Sequence, residues 1–290
     1  MINKKNDVIL VLGSQGQVGY EITMQLFEEG YQVVTPQTLD ITYLNQVTSL
    51  ADLKPKLIIN CAAYTDVDKA ESDQEMAFAV NSKAVGYIAA LSASIKTPVI
   101  HFSTDYVFDG TQTIYQPLDV PNPLSVYGES KLQGENILEL LGYKPTILRT
   151  SWVFSDRRKN FYKTILRLAM EKDEIRVVND QIGRPTSAKE ISRQISHIIK
   201  SDKYHPGTYH LAGGGLPCSW YQFASAIVKH AKAMGYPVKA KVLPCPSSEY
   251  KTPVERPKYS VLDTSLLTEA YGCMLKDWED CLVEYLAGTM

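Results

Sequence analysis

Tyr127 and Lys131 stand four residues apart in Tyr127-Gly-Glu-Ser-Lys131, so on a helix a phenol and an ammonium share one face. Such a pair suits delivery of a proton to an oxygen that gains charge, as when a ketone takes up a hydride. A phenol, with an ordinary pKa of about 10, gives up its proton reluctantly at neutral pH, and a neighbouring cation eases the transfer by favouring the tyrosinate. Of 18 tyrosines only Tyr127 has a lysine at this spacing, which chance alone would supply, so its meaning depends on context. Part of that context is Ser103-Thr104-Asp105, which closes the apolar run Pro98–Ser103. Thr104 is suited to hydrogen-bond a substrate carbonyl and Asp105 to accept from sugar hydroxyls. A turn leading into Asp109-Gly110 accounts for Asp105 equally well.

Gly13-Ser-Gln-Gly16-Gln-Val-Gly19 follows an apolar run and opens a helical pattern. Glycines in this register let the backbone turn sharply, approach a pyrophosphate and pack the helix on a sheet, with helix N–H groups facing the phosphates. The spacing is G-x-x-G-x-x-G rather than G-x-G-x-x-G. After Val34 comes Thr35-Pro-Gln-Thr-Leu-Asp40, with no carboxylate and no arginine at the strand end to choose between the ribose of NAD and the phosphate of NADP. NADPH and NADH both stay open as the cofactor, and Asp40 is expected near the adenine.

These residues need a scaffold, and the pattern provides one. Strands are expected at Val8–Gly13, Gln32–Val34, Leu57–Ile59, Pro98–Ser103 and Thr146–Trp152, with helices near 16–29, 73–94 and 127–141 between them. Continuous apolar strands joined by helices predict an α/β fold, a Rossmann-type doubly wound parallel sheet whose ligands meet the strands' carboxyl ends. Residues 1–154 are read as the dinucleotide-binding domain. Residues 155–290 are read as a smaller α+β substrate domain with some segments returning to the sheet. Helices are expected there near 160–171, 187–200, 219–234 and 277–286, with ordered irregular chain or a sheet edge around Pro237, Pro244, Pro246, Pro253 and Pro257.

Composition excludes other classes. Of 290 residues 44% are hydrophobic and 21% charged, which excludes a mainly disordered chain. Thirty basic against 32 acidic residues give a net charge of −2, so no nucleic-acid partner is expected. The five-residue run Val8–Leu12 is too short for a signal segment or a membrane span, and no membrane association is expected. Five cysteines, an odd number without a CxxC pair, read as reduced thiols in a cytoplasmic enzyme, and no metal site is expected.

Taken together, the motifs resemble the dTDP-4-dehydrorhamnose reductases of the extended short-chain dehydrogenase/reductase superfamily. The glycine loop, Asn60-Cys-Ala-Ala-Tyr-Thr-Asp-Val-Asp-Lys-Ala-Glu71, Ser103-Thr-Asp-Tyr-Val-Phe-Asp-Gly110 and Val126-Tyr-Gly-Glu-Ser-Lys-Leu-Gln-Gly-Glu135 carry the likeness. So do Arg149-Thr-Ser-Trp152, Asn179-Asp-Gln-Ile-Gly-Arg-Pro-Thr186, Tyr209-His-Leu-Ala-Gly213, Ser219-Trp-Tyr221 and Arg256-Pro-Lys-Tyr-Ser260. The resemblance implies reduction of the C4 keto group of dTDP-4-dehydro-β-L-rhamnose by NAD(P)H, the last step to dTDP-β-L-rhamnose, a precursor of surface polysaccharide. Thr104, Tyr127 and Lys131 would be catalytic. The cofactor would lie on Gly13, Gln15, Gly16, Gln17, Val18, Gly19, Asp40, Ile41, Cys61, Ala62, Ala63, Tyr64, Ser103, Tyr127 and Lys131. Thr104, Asp105, Tyr106, Trp152 and Arg256 would contact the sugar nucleotide, with Arg256 on the diphosphate.

Two departures stand out. Glu255 precedes Arg256 where the family often has a second arginine. Some members dimerise through a Mg2+ ion bridged by acidic residues. Glu21 is present, but Ser187-Ala-Lys-Glu-Ile-Ser-Arg193 lacks a matching acidic pair, so a monomer or weak homodimer is expected. Two rivals remain. One is another nucleotide-sugar 4-ketoreductase or epimerase, a dehydratase of this fold being disfavoured because it usually has Thr-Asp-Glu where this chain has Tyr106. The regulatory subunit of animal methionine adenosyltransferase is a non-catalytic relative, disfavoured by the intact Thr104, Tyr127 and Lys131.

Overall fold

Val-Ile-Leu-Val-Leu offers no polar face, and Val8–Leu12 (β1) runs through the interior of a sheet covered on both sides. The structure, a computed structural model, describes residues 2–4, 6–201, 204–250 and 252–288; positions 1 and 5 of the N-terminal stretch and 289–290 of the expected second domain lie outside them. After β1 come α1 (Gln17–Glu28), β2 (Gln32–Val34), α2 (Leu44–Ser49), β3 (Leu57–Asn60), α3 (Val67–Ala70), α4 (Gln74–Phe78), α5 (Ala84–Ile95), β4 (Val99–Thr104), α6 (Val126–Leu141) and β5 (Pro145–Thr150). The second half holds β6 (Val153–Phe154), α7 (Phe161–Glu171), β7 (Glu174–Val178), β8 (Ile182–Gly183), β9 (Thr186–Ser187), α8 (Ala188–Lys200), β10 (Gly207–His210), β11 (Cys218–Ser219), α9 (Trp220–Ala233), β12 (Lys241–Cys245), α10 (Ser265–Tyr271) and α11 (Trp278–Gly288).

The main sheet is parallel throughout, in the order β2-β1-β3-β4-β5-β10. Alternate residues of β1 face opposite sides. Ile9 and Val11 join Ile22, Leu26, Ile191, Ile195 and Tyr209 on one face, while Leu10 and Leu12 join Val47, Ile88, Leu91 and Leu138 on the other. A third cluster around Phe154, Tyr162, Phe223, Trp278 and Tyr285 is the centre of the second lobe. No described helix is long and apolar enough to cross a membrane.

The sequence expectations need two local corrections. The helix expected over 73–94 is broken by a π-helical turn, Ala79–Lys83, which carries the Asn81 side chain onto the Tyr64 backbone and Ser130. The strand expected to reach Trp152 ends at Thr150, because Trp152 takes a left-handed backbone, φ +48°. Of the two readings of the proline-rich stretch, Lys241–Cys245 follows the sheet edge: β12 pairs parallel with β7, with Pro244 opposite Val177. This is a two-stranded sheet in which a missing N–H is tolerated.

Candidate active site

At the end of β1 the chain turns through Gly13, φ +75°, so close to the neighbouring loop that a Cβ there would lie 2.6 Å from the Ala62 nitrogen. A Cβ on Gly19 would lie 2.3 Å from the Gly13 oxygen, so α1 starts hard against the strand. Gly16 caps α1 without a side chain, and the first turn carries no acidic residue, which leaves its N–H groups free to face an anion. Beside them opens a cleft of about 500 Å3, bounded by Gly13–Gly16, Pro36, Gln37, Leu39–Ile41, Cys61–Ala63 and Val80. Thus Gly13, Gln15, Gly16, Asp40, Ile41, Cys61, Ala62 and Ala63 of the expected cofactor set meet in one place. Val18 packs into the core below, the Gln17 amide turns to Ser155 and Asn160, and the Tyr64 hydroxyl is held by Asp73.

At the end of β2, Gln37 accepts from the Gln15 amide at 2.8 Å, and Asp40 Oδ1 accepts from the N–H and hydroxyl of Thr42. The strand end is uncharged, as read. A cation nevertheless reaches the loop: Arg158 Nε donates to the Gln15 carbonyl at 3.0 Å. Sequence reasoning missed it. The only local signal was the basic run Arg157-Arg158-Lys159, far from the loop in the chain.

The second group gathers at the end of β4. Ser125 accepts from the Gly128 N–H and starts α6, and a Cβ on Gly128 would lie 2.2 Å from the Tyr106 oxygen, so this turn of α6 packs directly on Asp105–Val107. The Thr104 hydroxyl stands beside the Tyr127 phenol there and favours its ionised form. Thr104 Oγ1 also donates to Asp105 Oδ1 at 3.1 Å and accepts the Tyr106 N–H at 3.2 Å. Lys131 is 2% exposed, and its Nζ donates to the Phe102 carbonyl at 2.7 Å. Burial sets the charge behaviour of all three ionisable groups. It pushes Tyr127 up to about 12, helped by the Asp105 carboxylate and opposed by the Thr104 hydroxyl. It takes Asp105 up to about 6 and Lys131 down to about 8. Ser103 Oγ and Asp105 Oδ2 are buried without a hydrogen-bond partner among the described residues. Polar atoms orphaned in this way call for an explanation, and a bound ligand supplies one.

Trp152 lies flat against Trp220, with ring centres 3.5 Å apart, and Gly183 leaves room for it, since a Cβ there would come 2.5 Å from the indole. Arg256 faces Asp68 at 3.1 Å and stands near Tyr106, and its Nε has no hydrogen-bond partner among the described residues. Glu21 lies apart from the cleft, accepting from the Tyr285 hydroxyl and facing Lys189. Among the described residues no group of three or more His, Cys, Asp or Glu is arranged to hold a metal ion.

Residues 7–290 match the RmlD substrate binding domain family. A dTDP-4-dehydrorhamnose reductase of Burkholderia thailandensis is 40% identical, over 93% of this chain and 95% of its own. The spore coat polysaccharide biosynthesis protein SpsK of Bacillus subtilis is 38% identical, over 96% of each. The crystal structure of dTDP-4-dehydrorhamnose reductase from Bacillus anthracis in complex with NADP superimposes with a TM-score of 0.91 at 34% identity, covering 97% of this chain and 99% of that one.

Proposed function

The chain belongs to the RmlD substrate-binding family, and from that premise we propose that it reduces the C4 carbonyl of dTDP-4-dehydro-β-L-rhamnose to give dTDP-β-L-rhamnose. The observation that carries this reading is the packing of the Tyr127 turn of α6 directly on Thr104–Tyr106, with Lys131 buried one helical turn away and a glycine-loop cleft lined by Cys61–Ala63. The glycine backbone, the uncapped N-terminus of α1 and the orphaned Ser103 hydroxyl fit a dinucleotide. When bound, NADPH or NADH supplies the hydride.

The chain's own residues do the rest. The Tyr127 O–H donates to the carbonyl oxygen and releases its proton as charge develops there, while Thr104 holds the same oxygen. Lys131, cationic below about pH 8 and one helical turn along α6, supplies a positive charge that favours the tyrosinate as the proton leaves. Asp105 accepts from sugar hydroxyls, Tyr106 and Trp152 wall the sugar, and Arg256 exchanges Asp68 for the diphosphate, a bidentate role suited to its planar fork. Residues 1–154 serve the cofactor and 155–290 mainly the sugar nucleotide.

The direct test follows NAD(P)H oxidation with dTDP-4-dehydro-6-deoxy-L-mannose and identifies the sugar formed. Absence of oxidation, or a product epimeric at C4, would overturn the assignment. Because Gln37 rather than a carboxylate or arginine ends β2, NADH and NADPH are expected to differ by about 10-fold or less in kcat/KM. A ratio above about a thousand would point to a discriminating group such as Arg158.

A further inference from the structure

Lys131 Nζ lies 3.3 Å from His101 Nε2, and His101 is fully buried within β4. The other ring nitrogen, Nδ1, lies 3.0 Å from Asn60 Nδ2 at the end of β3, and Asn60 Oδ1 accepts the Ala62 N–H at 3.1 Å. A backbone N–H can only donate, so the Ala62 contact decides which end of the Asn60 amide points where. The Asn60 NH2 then points at the ring, Nδ1 is an acceptor, and the proton of the neutral imidazole sits on Nε2. That N–H faces Lys131. An ammonium has three donors and no lone pair, so donor meets donor; an amine accepts.

The surroundings lean the same way. Burial, with the Lys131 charge, holds His101 well below the ordinary imidazole range, so the ring stays neutral. Cys61, beyond β3, is kept as a thiol by burial. Glu135, on α6 itself, favours the ammonium, but its carboxylate is bound by Arg149 of β5 at 2.7 Å. The π-helical turn presents only the Asn81 amide and the Ser82 hydroxyl to α6, and Tyr127 completes the set.

We propose, resting on the reductase reading, that His101, oriented by Asn60, is a positioning residue that lets Lys131 give up and regain a proton in every turnover. As the carbonyl carbon gains its hydride, the oxygen takes the proton of Tyr127. The Lys131 ammonium makes good that proton through an intervening hydroxyl or water, the resulting amine accepts the His101 Nε2–H, and a solvent proton restores the ammonium after product leaves. One proton enters from solvent per carbonyl reduced, and His101 keeps its own throughout.

Two measurements test this. In full-length protein labelled with 15N-histidine, the His101 ring is identified by the signals lost in His101→Gln. The Nε2–H tautomer is expected, unchanged between about pH 6 and 9; an Nδ1–H tautomer, or a ring that titrates in that range, overturns the proposal. In the second, kcat is followed against pH with NADPH and the keto-sugar. Reduction needs the ammonium, so kcat falls as pH rises through the Lys131 pKa. His101→Leu removes the facing N–H and is expected to move that limb up by about one unit, while His101→Gln, which keeps a donor, leaves it within about 0.3. A lower kcat with an unmoved limb in His101→Leu would make His101 packing only. Should His101→Leu not fold, the tautomer decides alone. Inactivity of the unaltered protein overturns the reductase reading itself, and this proposal with it.

Discussion

In the proposed mechanism the Tyr127 hydroxyl is the proton donor, yet burial holds its pKa up at about 12 in the free site. Tyr127→Phe is therefore expected to cut kcat by roughly 10²–10⁴-fold with NADPH affinity kept. Steady-state turnover beside a calorimetric binding constant checks this, and near-normal turnover would sink the mechanism. Asp105 yields a stability test. Its carboxyl is raised from 3.8 to about 6, so the folded protein binds more protons than the unfolded chain between those values, and stability falls as pH rises through that window. Asp105→Asn removes the cost of ionising there. It should gain about 1–3 kcal/mol at pH 8 and little near pH 4, which paired thermal melts would show. Tyr127, Lys131 and Thr104 were legible in the sequence because their chemistry rests on residue type and one helical turn. His101, Asn81 and Arg158 were not, because their partners lie 30, 49 and 143 residues away. Only folding brings those pairs together.

Among the elements, the strands of the main sheet read clearly where they were continuous and apolar, as in β1, β3 and β4. β10 did not. Four residues beginning with Gly207 and ending with His210 carry too little pattern, yet they form the sixth strand beside β5. The π-helical turn was equally hidden, since its cause is tertiary. Asn81 bonds the Tyr64 backbone in both directions and Ser130 on α6, tying the loop after β3 to the helix that bears Tyr127. Gly134 makes room for it: a Cβ there would lie 2.1 Å from the Asn81 oxygen. Gly134→Ala should thus cost about 1–3 kcal/mol and weaken NADPH binding, because the displaced turn carries the Tyr64 loop with it. Gly86→Ala, whose Cβ would meet only the Ile137 side chain at 3.3 Å, is the control and should stay close to neutral. If the two variants melted alike, the turn would not be doing this work.

On the scale of the whole chain, the division at residue 154 describes two tasks rather than two separable bodies. α8 packs on α1 and β10 completes the main sheet, so the first lobe's core needs the second half of the chain. Where the lobes meet above the glycine loop, Gln17 Oε1 accepts from Ser155 Oγ at 2.8 Å and from Asn160 Nδ2 at 2.7 Å. One amide at the first turn of the helix that faces the dinucleotide is thereby fastened to the segment running from Trp152 into α7. Whatever orders Gln17 orders that segment, and the reverse. The two ligands are then energetically linked through the protein as well as where the hydride passes between them. NADPH should tighten sugar-nucleotide binding by a factor within roughly 5–150, and the sugar nucleotide should tighten NADPH by the same factor, since linkage is reciprocal. Gln17→Ala should bring both factors towards one while leaving each ligand able to bind alone, which four calorimetric titrations per protein would reveal. Unequal factors within one protein would break the thermodynamic cycle, and an unchanged factor in the variant would send the coupling through some other contact.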